Sequence, residues 1–279
     1  MTTNRIPFLL RGAALVLLTI AALLSLMPLY WLISGSFKLQ QNAMSMPPEL
    51  WPAAPTFANY QKLLFGPKLA GRWFLNSAIV AATISLAAVL TSSTTGYVLG
   101  KKEFPGKNLL LGMVVVTMIL PREVMLVPLV MRVRALGLTD TYPGMVAPFL
   151  VYPFGIFLMR QFMQTIPNDL IAAAEMDGAG EWRTFQLVIL PLARPAIAAV
   201  AIFAFVQGWN EYLWQLMIAQ REEMLTLPVG VSRLVSSLSS YDLGLAMAGA
   251  TFAFIPMLLV FVCFQSYFVK GITLGAVKG

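Results

Sequence analysis

The chain has 279 residues, 58% of them hydrophobic and 11% charged, with a net charge of +7, one cysteine and no histidine. Soluble domains carry about 25% charged residues, so composition excludes an ordinary soluble enzyme and makes lipid the main solvent. The 19 basic residues are scattered between apolar runs rather than gathered in a stripe, so anionic lipid headgroups, not nucleic acid, are the expected partner of the charge.

Six apolar segments follow along the chain. Arg5 and Arg11 precede the first, 12–34, which is longer than a signal-peptide core and lacks a clear small-residue cleavage site; it reads as a retained span. A Pro-rich connection at 35–73 (Pro47, Pro48, Pro52, Pro55) predicts an outer-face segment with a short helix near Tyr60–Phe65. Further spans are expected at 74–99, 108–131, 143–163, 196–219 and 244–268, each long enough to cross about 30 Å of hydrocarbon. Backbone polar groups cannot stay bare in lipid, so these segments must be helices. The expected fold class is an all-α integral membrane protein of one domain, with six transmembrane helices. Cys263, inside an apolar run, can form no intrachain disulfide, and without histidine the commonest metal ligand is missing; no metal site is expected.

The loop at 164–195 differs from everything around it. Its segment Ile166–Pro191 reads IPNDLIAAAEMDGAGEWRTFQLVILP. Asn168 and Asp169 are N-cap types after Pro167. Leu170, Ala173, Ala174 and Asp177 fall at helical spacing on one face. Gly178 and Gly180 are placed to stop that helix in a left-handed turn. Trp182, Phe185 and Ile189 then form a second apolar face before Pro191 ends it. Such a charged helix–turn–helix lies outside lipid, either as a partner-docking element or as an ordinary interfacial helix pair.

Here the chain resembles the permease subunits of ABC importers, specifically the second permease of the maltose-type carbohydrate uptake class. The EAA loop of that family is matched by Ala173, Ala174, Asp177, Gly178 and Ala179, and by Leu190 and Pro191; its leading glutamate is replaced by Ala172. FANY at Phe57–Tyr60, FLNS at Phe74–Ser77, GWNE at Gly208–Glu211, TLPVG at Thr226–Gly230 and LGAVKG at Leu274–Gly279 also look like that subunit, so the likeness spans nearly the whole chain. The resemblance implies a coupling helix on the cytoplasmic side, made of Ala172, Ala173, Ala174, Glu175, Asp177, Gly178, Ala179 and Gly180 with Leu190 and Pro191. It also implies a second homologous permease, two ATPase subunits that bind ATP and Mg, and an extracytoplasmic substrate-binding protein. The chain would then lie in a bacterial inner membrane with both termini cytoplasmic. Charge alone leaves the orientation open, because Lys101, Lys102 and Lys107 are balanced by Lys38, Lys62, Lys68 and Arg72. The cargo so implied is a sugar, or glycerol-3-phosphate and related phosphodiesters.

No catalytic group is expected. The chain has no phosphate-cradling GxxxxGK[ST] and should bind no cofactor itself. Charges inside spans mark the candidate pathway, since a charge at mid-bilayer costs at least about 2.5–3.5 kcal/mol. Arg122 and Glu123, beside Pro121, interrupt the third span. Trp209, Asn210, Glu211 and Tyr212, in GWNEYLW, lie in the fifth; such groups stack on and hydrogen-bond to sugars. The rival reading of GWNEYLW is an interfacial aromatic belt. An intramembrane enzyme using Glu123 and Glu211, or an ion-coupled carrier using Glu211, is the alternative class.

Overall fold

The computed structural model describes residues 8–40, 47–66, 69–236 and 242–276, without the side chains of 8–11, 235–236 and 266–276. Arg5, Lys68, Lys278 and the tail motif beyond Ala276 lie outside the described residues. Every regular element among the described residues is a helix.

α1 (Phe8–Ser36) takes up the first apolar run, and α2 (Ala58–Phe65) is the short helix after the Pro-rich connection. α3 (Ala70–Lys101) is an unbroken rod of 32 residues. The third predicted span is not one helix but two, α4 (Lys107–Ile119) and α5 (Arg122–Ala135), which meet at 97°. Leu120 and Pro121 are extended at the break, because proline has no N–H for the preceding turn and its ring clashes with it. The fourth is also divided. α6 (Tyr142–Val146) runs into a 3₁₀ turn to Phe149, then α7 (Pro153–Thr165) departs at 47°.

The loop region holds α8 (Asp169–Met176), α9 (Glu181–Thr184), a π-helical turn at Phe185–Ile189 and α10 (Leu190–Leu192). Pro191 does not end this stretch as expected. It lacks the donor that would reach the Leu187 carbonyl, and the turn before it widens instead of stopping. α11 (Arg194–Asn210) leaves at 79°. The fifth predicted span then breaks at Glu211 and resumes as α12 (Leu213–Ile218). α13 (Leu227–Ser236) and α14 (Leu243–Ala276) complete the chain. Among the described residues, three helices are therefore long and apolar enough to cross a membrane unbroken, and up to six crossings exist when each bent pair is one span.

Among the described residues, those up to 70 with those of 231–254 form one compact unit, and those of 71–230 with those of 255–276 another. In the first, the FANY motif is a staple. Asn59 Nδ2 donates to the Ser36 and Lys38 carbonyls at 2.9 and 2.7 Å, and the Tyr60 and Ser36 hydroxyls lie 2.8 Å apart. In the second, α3 packs on α7 with little between the backbones. A Cβ on Gly96 would lie 2.5 Å from Met159 Cβ, and one on Gly100 2.8 Å from Met163 Cβ. This small-xxx-small spacing lets two helices approach closely. The core beside it joins Tyr97, Met159, Met163, Phe185, Ile189 and Ala196.

Candidate functional site

The loop helix α8 is seated by very little apolar surface. Ala174 is buried and Ile171 packs against the core, so the inward stripe is Ile171 and Ala174. Leu170, Ala173 and Asp177, placed with Ala174 on one face by the sequence, are exposed together with Ala172, Glu175 and Met176. Met176 is 88% exposed. The helix ends as glycine geometry dictates: Gly178 has φ +78, and the Ala179 N–H donates to the Ala174 carbonyl at 2.9 Å. That left-handed position disfavours any residue with a Cβ. Gly180 departs from its expected role. It is extended, with φ −69 and ψ 162, and starts α9 rather than stopping α8.

Asn168 also differs from expectation. It occupies the N-cap position without a side-chain cap bond, and its Oδ1 accepts from Lys101 Nζ at 2.8 Å. Past the turn, Glu181 accepts from Lys102 Nζ at 2.5 Å and from the Tyr97 hydroxyl at 2.6 Å. The Lys102 hydrogen bond first, and the Tyr97 bond second, hold the Glu181 carboxyl below its ordinary pKa. Of the second apolar face, Phe185 and Ile189 are buried while Trp182 is 62% exposed. Leu190 is half-buried, and Pro191 is exposed.

The pathway residues divide between a cavity and the core. A cavity of about 650 Å³ is lined by Arg122, Glu123 and Glu211, together with Gln207, Phe149, Tyr152, Phe154 and Trp214. Three of the four helix breaks open onto it, at Leu120 and Pro121, at Val151 to Pro153 and at Glu211, whereas the 79° bend before α11 does not. Non-helical backbone at membrane depth is tolerated where it lines a cavity, and this volume suits a small-molecule site. The Arg122 guanidinium lies 5.6 Å from the Phe149 ring centroid. The Gln207 amide faces the same guanidinium; with its oxygen turned inward it accepts from Nη2 at 2.8 Å and also from Nη1. Glu211 accepts the Trp214 N–H at 3.1 Å and so starts α12.

Trp209, Asn210 and Tyr212 do not line this cavity. Trp209 is 2% exposed and packs between Phe74 and Phe205, with ring centroids at 5.6 and 6.0 Å. It is a core residue in this fold, unable to stack on a solute. Asn210 is exposed and bonds back to the Val206 carbonyl of its own helix at 3.0 Å. Tyr212 stands in the break after α11. Sequence reading passed over Gln207, an amide one turn before Glu211, and the Pro148–Pro153 pair that signals the 47° bend.

The other recurrent motifs are packing devices. Asn76, in FLNS, donates to the Glu223 and Leu225 carbonyls at 2.8 Å each and accepts from the Tyr142 hydroxyl at 2.7 Å. Ser77 accepts the Leu227 N–H, in TLPVG, at 2.8 Å.

This bent-helix membrane fold with a short exposed helix after α7 has known relatives. Residues 92–274 match the family model described as binding-protein-dependent transport system inner membrane component. The arabinooligosaccharides transport system permease protein AraQ of Bacillus subtilis is 35% identical over 92% of each chain. The sn-glycerol-3-phosphate transport system permease protein UgpE of Brucella abortus is 32% identical over 88% of this chain and 89% of its own. A crystal structure of a bacterial ABC transporter involved in importing the acidic polysaccharide alginate superposes with a TM-score of 0.85. The match covers 96% of this chain and 99% of that one at 24% identity, a likeness of fold. The chain belongs to the family of inner membrane components of binding-protein-dependent transport systems.

Proposed function

We propose that this chain lines the translocation path of a bacterial ABC importer for a neutral oligosaccharide. It pairs with a second, homologous permease. ATP and Mg are bound by two separate ATPase subunits, which press on α8. An extracytoplasmic binding protein delivers the cargo, and both termini are cytoplasmic. The observation that carries this reading is the convergence of three helix breaks on one cavity that mixes aromatic faces with Arg122, Glu123, Gln207 and Glu211. Transporters form solute sites from such discontinuous helices. The cavity's formal charge, one cation against two carboxylates, suits a neutral polyol better than an anion, and the names of the sugar-carrying relatives support that choice.

A phosphate-bearing cargo is the second reading. It is favoured by Arg122, which forms no ion pair among the described residues and has a glycerol-3-phosphate permease among its relatives. Uptake by the transporter reconstituted with its genomic neighbours separates the two. Labelled neutral oligosaccharides should be accumulated, and excess sn-glycerol-3-phosphate should not compete. Leu129→Trp, which fills the cavity, should cut uptake at least about tenfold, the effect of ~1.4 kcal/mol, while the subunits still co-purify. Wild-type uptake in that variant would remove the cavity from the path.

A further inference from the structure

The segment carrying α8 is bracketed by one end of α3. Lys101 Nζ donates to the Ile166 carbonyl and, at 2.8 Å, to Asn168 Oδ1, just before α8. Lys102 Nζ donates to Glu181 Oε2 at 2.5 Å, just after the turn that ends α8. Tyr97, one helical turn earlier, donates to the other oxygen of Glu181 at 2.6 Å, and its ring packs on Phe185 at 5.0 Å. A lone exposed ion pair holds little, and a lysine at a helix C-terminus ordinarily needs no partner beyond the helix dipole. Here four polar bonds from one helix end grip both flanks of an eight-residue helix. Apart from them, α8 itself turns only Ile171 and Ala174 inward. Asn168 leaves its own helix uncapped in making its bond. Both carboxylate oxygens of Glu181 are taken.

We propose that Lys101 and Lys102 are positioning residues that lock the α8 segment to α3, so that a push on α8 displaces α3 as one body with it. The proposal rests on the reading of α8 as the surface the ATPase presses. α8 is joined in sequence to α7 on one side and, through the 181–192 stretch, to α11 on the other. α3 has no chain connection to α8 shorter than the whole of α4 to α7; it packs on α7 at Gly96 and Gly100, and the lysines add a direct tie to both flanks of α8. α3 is about 48 Å long at 1.5 Å per residue. Near its other end Trp73, Asn76 and Ser77 bond to residues 222, 223, 225 and 227. A stroke on α8 therefore reaches the far side of the membrane through a rod, not through the broken helices that line the cavity.

The test needs no identified cargo. Spin labels are placed at Leu86→Cys on α3 and Met176→Cys on α8, both exposed positions, with the exposed Cys263 replaced by serine. The whole transporter is compared without nucleotide and after trapping with MgATP and vanadate. With the lysines present, the interlabel distance should change by less than about 2 Å, the scale of small helix shifts. In the Lys101→Met, Lys102→Met double variant it should broaden or move by about a helical turn, ~5 Å. The charge-reversed pair Lys102→Glu with Glu181→Lys should come closer to wild type than Lys102→Glu alone. An unchanged distance in the double variant, an equally large change in wild type, or no rescue by the reversed pair overturns the clamp. If the double variant does not assemble, the reversed pair decides. Immobilisation of the Met176 label on adding ATPase reports docking separately, so a wrong docking surface is told apart from a wrong clamp.

Discussion

Gly96→Ala probes a close helix–helix approach in the larger unit, one in which the neighbouring atoms are backbone and Cβ. The added Cβ would stand 2.5 Å from Met159 Cβ, 3.0 Å from the Arg160 nitrogen and 3.1 Å from the Met159 carbonyl carbon. Carbon atoms rest at about 3.5–4.0 Å, so the shortfall is roughly 1 Å. The atoms met are backbone and Cβ, which no rotamer change can move aside. α3 and α7 must separate or bow, and overpacking of this kind costs about 1–3 kcal/mol. Alanine recovers up to about 1 kcal/mol through helix propensity, leaving a net loss of roughly 0–2 kcal/mol, toward the upper end because the atoms met cannot rotate aside. Thermal unfolding of the purified complex, followed by tryptophan fluorescence, should show a Tm lower by about 4–8 °C for a loss of about 2 kcal/mol. Gly112→Ala is the control: its Cβ would meet nothing within 4 Å, so its Tm should match or exceed wild type. A Gly96→Ala protein that melts with wild type while the control behaves as expected would refute the close-packing argument.

Asp140→Ala should destabilise by about 1–3 kcal/mol, read as a Tm loss, because Oδ1 accepts the Gln220 and Arg221 N–H groups at 2.7 and 2.9 Å from a residue at φ +56; Asp140→Asn, which keeps an acceptor, should lose less. Glu181 has a lowered pKa, so its contribution is present above the ordinary carboxylate value, about 4.3, and is lost as pH falls through the lower folded value. The Tm gap between wild type and Glu181→Gln should accordingly be largest near pH 7 and shrink toward zero as the pH drops below about 4. Glu175 is exposed one turn from Ala172, where it can stand in for the family's missing glutamate. Glu175→Gln should lower ATPase recovery with the complex by about three- to tenfold, a contact of ~0.7–1.4 kcal/mol, and unchanged recovery would deny it a docking role.

Much of this protein was legible in its sequence because the physics involved is local. Apolar length specified helices in lipid, since no other open-ended structure satisfies its own backbone there. Gly178 marked the end of α8, since a left-handed residue is wanted one step past a helix. Pro121 with two charges marked the break in the third span. The loop motif revealed the family, since most of its residues are exposed on one short loop and leave a contiguous signature. What the sequence could not decide is which way a polar or aromatic residue faces. Trp209 looked like a stacking platform and lies in the core between Phe74 and Phe205. Asn76 and Ser77, read only as family tokens, hold α3 to Leu225 and to Leu227 at the start of α13. Gln207 joined Arg122 across 85 positions only once α5 and α11 had been folded against each other. Lys101 and Lys102 looked like orientation charges until α3 brought them beside Asn168 and Glu181. Periodicity and capping act over a few residues and are written in the chain. Facing, enclosure and long-range bonding depend on where distant helices come to rest, and only the tertiary structure settles that.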